Sequence, residues 1–170
     1  MKQFFGVMRH EFSMSIRRPG LWIAYAIVCG FFSVALFAPS EAGPTDIYYE
    51  SATPWIAAGE TVYLFNMLMP LIGGILAADR LQRDLRLGVR ELQSSAPLGR
   101  ASYILGKYCG VLLSTLLPML TWLLLTGVYA TANGMTSTAI FGGIVVAFVI
   151  IAVPSFAFVV AFSLACPVVM

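Results

Sequence analysis

Four long apolar stretches constrain the fold of this chain more than any other feature. They run over residues 21–38, 61–78, 108–130 and 139–166, and none of them contains Asp, Glu, Lys or Arg. A helix that crosses the hydrocarbon core of a membrane takes about 20 apolar residues, so each stretch is long enough to do so. The alternation of polar and apolar residues that marks a membrane β-barrel is absent. We therefore predict an all-α, polytopic membrane protein with four transmembrane helices.

The composition excludes several classes of soluble protein. Hydrophobic residues make up 59% of the chain and charged residues 11%, against roughly 25% charged in ordinary soluble domains. So few charges cannot cover the surface of a soluble domain, which excludes a cytosolic enzyme and a nucleic-acid-binding domain. The three cysteines are far apart in apolar surroundings and form neither a disulfide framework nor a metal-ligand spacing. Membrane helices tolerate internal prolines because neighbouring groups satisfy the released carbonyls, and the second, third and fourth stretches contain Pro70, Pro118 and Pro154.

The basic residues predict the orientation of the chain. All ten Lys and Arg residues lie either before the first stretch or between the second and the third. Residues 39–60 contain acids but no Lys or Arg, and residues 131–138 contain no charge. Because Lys and Arg resist translocation, they mark the cytoplasmic side. We predict a multi-pass protein of the plasma (inner) membrane, in direct contact with the lipid bilayer, with a cytoplasmic N-terminus.

Residues 1–20 have the pattern of an amphipathic helix in the membrane interface. Phe5, Met8, Phe12 and Ile16 recur at spacings of three and four, and basic residues flank this stripe. Pro19-Gly20 then breaks the helix, so that the chain can turn into the membrane. This pattern, with its acid as well as bases, favours an uncleaved helix over a signal peptide. It fits both a simple membrane anchor and a lever that connects the interface to the first stretch.

The middle segment, residues 79–107, carries six basic and three acidic residues. Asp79 with Arg83, and Arg80 with Asp84, are opposite charges four residues apart, which support a helix that continues the second stretch. Pro97 ends this helix, because the residue before a proline avoids helical dihedral angles. Fewer basic residues would be enough to orient the chain, so the pattern favours a docking surface over a topology signal alone. One face of the helix consists of Leu81, Leu85, Gly88 and Leu92.

Catalytic and nucleotide-binding motifs are missing from the sequence. Gly99 and Gly106-Lys107 have a P-loop's residue types but not its spacing, and Tyr108 follows where Ser or Thr is needed. No Ser/His/Asp set and no His/Cys cluster is present. We therefore predict no catalytic residue, no cofactor, no metal site and no ATP binding by this chain.

Five short motifs follow one another in the middle segment: Asp79-Arg80, Gly88, Glu91-Leu92, Ser95-Ala96-Pro97-Leu98-Gly99-Arg100 and Gly106-Lys107. Their order resembles that in the membrane-spanning subunits of ABC transporters of the ABC-2 type, and the N-terminal helix is similar to the connecting helix of that family. The likeness extends from about residue 3 to residue 166. Asp79 stands where Glu is usual, and Gly99 where Ser is usual. Family members usually have six spans, so the resemblance implies a permease shortened after the fourth.

The resemblance implies a single transmembrane permease domain over residues 1–170, forming half of the membrane part of an exporter. A separate cytoplasmic subunit would bind and hydrolyse ATP, and a second permease subunit, identical or different, would complete the pathway. A membrane anchor or scaffold that recruits a cytosolic partner through the middle segment is the alternative. The residues that the resemblance assigns to coupling with the ATPase are Asp79, Arg80, Asp84, Gly88, Arg90, Glu91, Pro97, Arg100 and Lys107.

Polar residues inside the apolar stretches are candidates for the membrane pathway, since such groups often line a path. The candidates are Asn66 in the second stretch and Thr121 and Thr126 in the third. Threonine hydroxyls in membrane helices more often bond to their own backbone or join helices, and this alternative applies here. Gly106 and Gly110, four residues apart, indicate close helix packing rather than chemistry.

The predicted orientation can be tested with single cysteines in a variant that lacks the native ones. Cysteines at Ser51 and Ser137 are expected to react with an impermeant thiol reagent in intact cells, because both lie on the predicted outer side. A cysteine at Ser94, in the basic middle segment, is expected to stay unmodified until the cells are opened. Modification at Ser94 in intact cells would contradict the orientation.

Overall fold

The computed structural model of the protein describes residues 2–37, 53–86 and 99–169, and the regular structure in these ranges is entirely helical. Three stretches are long and apolar enough to cross a membrane, Pro54–Ala78, Ala101–Ala132 and Ile140–Ala165, and a shorter apolar helix covers Pro19–Val34. The prediction of an all-α polytopic membrane protein is confirmed. The elements are α1 (Lys2–Ile16), α2 (Pro19–Phe37), α3 (Pro54–Asn66), α4 (Met69–Arg86), α5 (Arg100–Ala132), α6 (Ile140–Ala147), a π-helical segment (Phe148–Ala152) and α7 (Val153–Val169).

A short bend separates the N-terminal helix α1 from α2. The helix ends at Ile16, and Pro19 is the first residue of α2, a position where the missing proline N–H costs nothing. The indole Nε1 of Trp22 donates a hydrogen bond to the carbonyl oxygen of Ile16 at 2.7 Å. This bond satisfies one of the carbonyls that the end of α1 leaves without a helical partner, and it holds α1 at a defined angle to α2.

The second apolar stretch is divided into two helices, α3 and α4, at Met67 and Leu68. Pro70 has no N–H and cannot donate to the carbonyl of Asn66, four residues earlier, so the regular helix ends there. The N–H of Met67 instead bonds to Leu64, three residues back, at 3.2 Å. The predicted span over residues 61–78 lies within a helical stretch that begins at Pro54 and is interrupted between Asn66 and Met69.

The fourth apolar stretch is also interrupted near a proline. Before Pro154 the helix widens into the π-helical segment, in which the N–H of Val153 bonds to the carbonyl of Phe148, five residues earlier. A π-helical turn inserts one residue into the helix and is a common way to adapt it to a local irregularity. In the third stretch, by contrast, α5 continues through Pro118.

Glycines allow the two interrupted helices to pack closely along their whole length. Helix α3 packs against α6, and α4 packs against α7, so the two stretches run parallel. A Cβ atom on Gly143 of α6 would lie 2.7 Å from the Cβ of Ala58, and one on Gly74 of α4 would lie 2.6 Å from Val159 Cγ1. Small residues at such crossings let helix backbones approach each other in the membrane.

The core between the helices is apolar, and large apolar side chains also cover the outside, as expected for helices that face lipid. The core includes Tyr25, Cys29, Phe32, Val62, Phe65, Met69, Leu123, Ile144 and Phe156. The exposed set includes Ile23, Ile27, Phe31, Ile75, Leu125, Ile150 and Phe158.

The close contact between α3 and α6 predicts that Gly143→Ala destabilises the protein. The added methyl group would press on Ala58, and such overpacking typically costs about 1–3 kcal/mol. Gly30→Ala on α2 is the matched control, because a Cβ there meets nothing within 4 Å. Thermal unfolding of the purified protein in detergent measures both variants. A Gly143→Ala variant as stable as Gly30→Ala would contradict the α3–α6 packing.

Candidate functional site

A buried ion pair joins the end of the middle segment to the N-terminal helix. The Nζ atom of Lys107 on α5 lies 3.9 Å from Oε1 of Glu11 on α1, and the two residues are only 4% and 8% exposed. The same Nζ atom donates to the hydroxyl of Tyr103 at 3.4 Å and lies 5.7 Å from the centroid of that ring. Since a buried charge is costly without a partner, each residue of the pair stabilises the other in this position.

Two glycines on α5 bring α1 close enough for this pair to form. A Cβ atom on Gly110 would lie 2.7 Å from the Cβ of Glu11 and 2.9 Å from the carbonyl oxygen of Met8, and one on Gly106 would lie 3.1 Å from the Cβ of Val7. The prediction that Gly106 and Gly110 allow close helix packing is confirmed, and the helix that packs there is α1.

The face of α1 that packs on α5 lies beside the apolar stripe that the sequence indicated. The packed face includes Val7, Glu11 and Ser15 at spacings of four, whereas Phe5 of the stripe is 57% exposed. The hydroxyl of buried Ser15 donates to the carbonyl of Glu11 at 2.6 Å. Sequence reasoning missed Glu11. The available signal was that Glu11 is the only acid among the first 40 residues.

The other predicted coupling residues lie on both sides of the part of the middle segment that is not described. Asp79, Arg80 and Asp84 are in the C-terminal half of α4, and Arg100 is the first residue of α5. Lys107, whose side chain the structure describes, contacts Glu11 on another helix. The coupling role of the set stays a prediction. The residues of the set outside the described ranges are Gly88, Arg90, Glu91 and Pro97.

The three predicted pathway residues have different surroundings. The hydroxyls of Thr121 and Thr126 donate to carbonyls of their own helix, those of Leu117 at 2.9 Å and Leu123 at 2.8 Å. This is the alternative that the sequence left open for threonine. Asn66 instead reaches another helix, because its Nδ2 donates to Oγ of Ser155 on α7 at 3.0 Å.

Two further aromatic donors connect α5 to its neighbours. The indole of Trp122 donates to the hydroxyl of Ser33 on α2 at 2.8 Å, and the hydroxyl of Tyr108 donates to the carbonyl of Ala157 on α7 at 3.1 Å. Helix α5 is therefore bonded to helices on several sides. Within the described ranges, no group of three or more His, Cys, Asp or Glu residues is placed to hold a metal ion.

Comparison with known families agrees with this architecture. A family model described as ABC-2 family transporter protein matches residues 6–169, a range that includes all the helices described above except the first four residues of α1. The chain belongs to the ABC-2 transporter family. The resemblance predicted from the middle segment is confirmed, and the chain is a multi-pass membrane permease of an ABC transporter, a component that is not itself catalytic. No curated protein and no solved structure matches the chain.

The buried pair predicts that Lys107→Met lowers the stability of this ABC-2 permease strongly. The substitution leaves the Glu11 carboxylate buried without its positive partner, and breaking a buried pair typically costs about 3–5 kcal/mol. The double variant Glu11→Gln/Lys107→Met removes both charges and is expected to recover most of that loss. Arg9→Met, at an exposed position of α1, is the control and should change little. Thermal unfolding of the wild type, Glu11→Gln, Lys107→Met and the double variant gives the coupling energy, and additive effects of the two single substitutions would contradict the pair.

Proposed function

We propose that this chain is the permease subunit of an ATP-driven exporter and couples to a separate cytoplasmic ATPase subunit through the middle segment. Membership of the ABC-2 family supports the transporter role, and export is the direction that the family resemblance implies. The charge pattern of residues 79–107 supports docking, because six basic and three acidic residues exceed what orientation in the membrane needs. A second permease subunit, identical or different, completes the pathway.

The observation that carries this proposal is the attachment of Lys107 to α1. The middle segment starts within α4 and ends in α5 at Lys107, which pairs with Glu11. A displacement of the segment by the ATPase therefore acts on two helices at once. Because the ion pair and the glycine contacts hold α1 against α5, these two helices move together.

The same attachments extend the coupling to the rest of the bundle. Helix α4 packs on α7 through Gly73 and Gly74, where a Cβ atom on Gly73 would lie 3.0 Å from the ring of Phe156. Helix α1 is connected to α2 by the Trp22–Ile16 hydrogen bond. A movement of the middle segment thus reaches α7 through α4, and α2 through α1. This favours the lever over the simple anchor for the N-terminal helix.

The proposal predicts that Glu91→Ala weakens the association with an ATPase subunit. Removing a charge that is buried and paired at an interface costs about 2–5 kcal/mol, whereas removing a rim charge changes the affinity little. Arg83→Ala is the matched control, because a pair within one helix is worth only a few tenths of a kcal/mol. Both variants keep enough basic residues to orient the chain. Co-purification of the subunit from native membranes and the ATPase activity of the complex are measured side by side.

Two results would contradict the proposal. If Glu91→Ala and Arg83→Ala both retain the partner and its ATPase activity at the wild-type level, the middle segment acts only as a topology signal. If the wild-type chain instead retains a cytosolic partner without ATPase activity, the chain is a scaffold. Equal amounts of all three proteins in the membrane fraction show that insertion is unaffected.

A further inference from the structure

The two interrupted apolar stretches bring their interruptions together near the middle of the bundle. Asn66 is the central residue of the 25-residue stretch Pro54–Ala78, and it is followed by the break before α4. Ser155 follows the π-helical segment and Pro154 in the 26-residue stretch Ile140–Ala165, also well away from both ends. The Asn66–Ser155 hydrogen bond connects the two breaks. The middle of a membrane-spanning stretch is the part that lies farthest from the water on either side.

The hydrogen bonds at this contact determine which way the amide of Asn66 points. The hydroxyl of Ser155 donates its single hydrogen to the carbonyl of Ile151 at 2.9 Å, so its oxygen accepts from Nδ2 of Asn66. The amide oxygen Oδ1 therefore points away from Ser155. This oxygen is buried and has no hydrogen-bond partner among the described residues.

An unpartnered amide oxygen at this depth is costly and calls for an explanation. A buried acceptor without a hydrogen-bond partner loses the hydration that it has in the unfolded chain, and the large majority of buried side-chain polar atoms have a partner. The contact between α3 and α7 uses only the amide nitrogen of Asn66, and the acceptor oxygen that asparagine also carries is not satisfied by Ser155. Many secondary transporters place ligand sites near the midplane where helices are broken, and π-helical turns are frequent at functional sites.

We infer that Oδ1 of Asn66 is a hydrogen-bond acceptor in the membrane pathway for a hydroxyl or protonated amine of the transported molecule. This inference rests on the proposed function as a permease. The site contains no positive side chain among its described contacts, and a carbonyl oxygen attracts donors while it repels carboxylates and sulfonates. The flanking residues Phe65 and Phe156 are buried and apolar. An acceptor oxygen beside an apolar core fits a transported molecule that has an apolar body and a donor group.

The test uses Ser155→Cys as a reporter beside an intact Asn66, in the full chain without its native cysteines and reconstituted in lipid nanodiscs. The probes are aminoethyl methanethiosulfonate, which carries an ammonium donor, and sulfonatoethyl methanethiosulfonate, which carries an anion. The measured quantity is the rate of modification by the amine reagent divided by the rate of modification by the sulfonate reagent. We expect this ratio to be about tenfold higher at Ser155→Cys than at exposed Ser137→Cys, because hydrogen bonds to charged groups are strong. Thr126→Cys, buried beside its own backbone, should remain unmodified.

Asn66→Leu in the Ser155→Cys background should abolish the preference and return the ratio of rates to that of Ser137→Cys. No modification at Ser155→Cys would show that the site is closed to ligands and overturn the inference. Modification with no preference for the amine would show that the reagents enter without recognition by Oδ1 of Asn66, and would also overturn the inference. If Ser155→Cys is not monodisperse, Ile151→Cys, one turn earlier, is the second reporter. None of these rates depends on an ATPase, so loss of the partner complex would contradict the proposed function without affecting this result.

Discussion

In the hydrocarbon core of a membrane, every backbone N–H and carbonyl must find its partner within the protein, because no water is available. The four apolar stretches of this ABC-2 permease meet this condition as helices. Two of these helices are interrupted, in each case near a proline that leaves a backbone carbonyl without its usual donor. Pro70 cannot donate to the carbonyl of Asn66, and Pro154 cannot donate to that of Ile150. At the first site the helix ends and restarts, and at the second it widens into a π-helical segment.

Close packing between helices compensates for the weak hydrophobic attraction between apolar helices in lipid. Glycines at the contacts of α3 with α6, α4 with α7 and α1 with α5 let backbones approach within distances that any Cβ atom would block. The same close approach makes polar contacts between distant parts of the chain possible. Lys107 reaches Glu11 because Gly106 and Gly110, on either side of it in α5, leave room for α1.

The two proposals for this protein, coupling to an ATPase and an acceptor site in the pathway, both rest on contacts between helices that are distant in sequence. The proposed coupling needs the middle segment to act on more than one helix, and the Lys107–Glu11 pair together with the α4–α7 contact supplies that connection. The proposed acceptor site needs two helix breaks at one level, and the parallel course of the two interrupted stretches supplies it. Both proposals depend on contacts that cross from one helix to another rather than on any local motif.

The all-α membrane class, the four apolar stretches and the family could be predicted from the sequence, because length, hydrophobicity and motif order are local properties of the chain. The sequence also indicated that Gly106 and Gly110 serve packing and that Asn66 differs from an apolar core residue. The pairing of Lys107 with Glu11 and the contact of Asn66 with Ser155, 89 residues away, became visible only in the folded chain. Periodicity identifies a polar or small face of a helix, but the rotation and approach of the neighbouring helix decide what that face contacts.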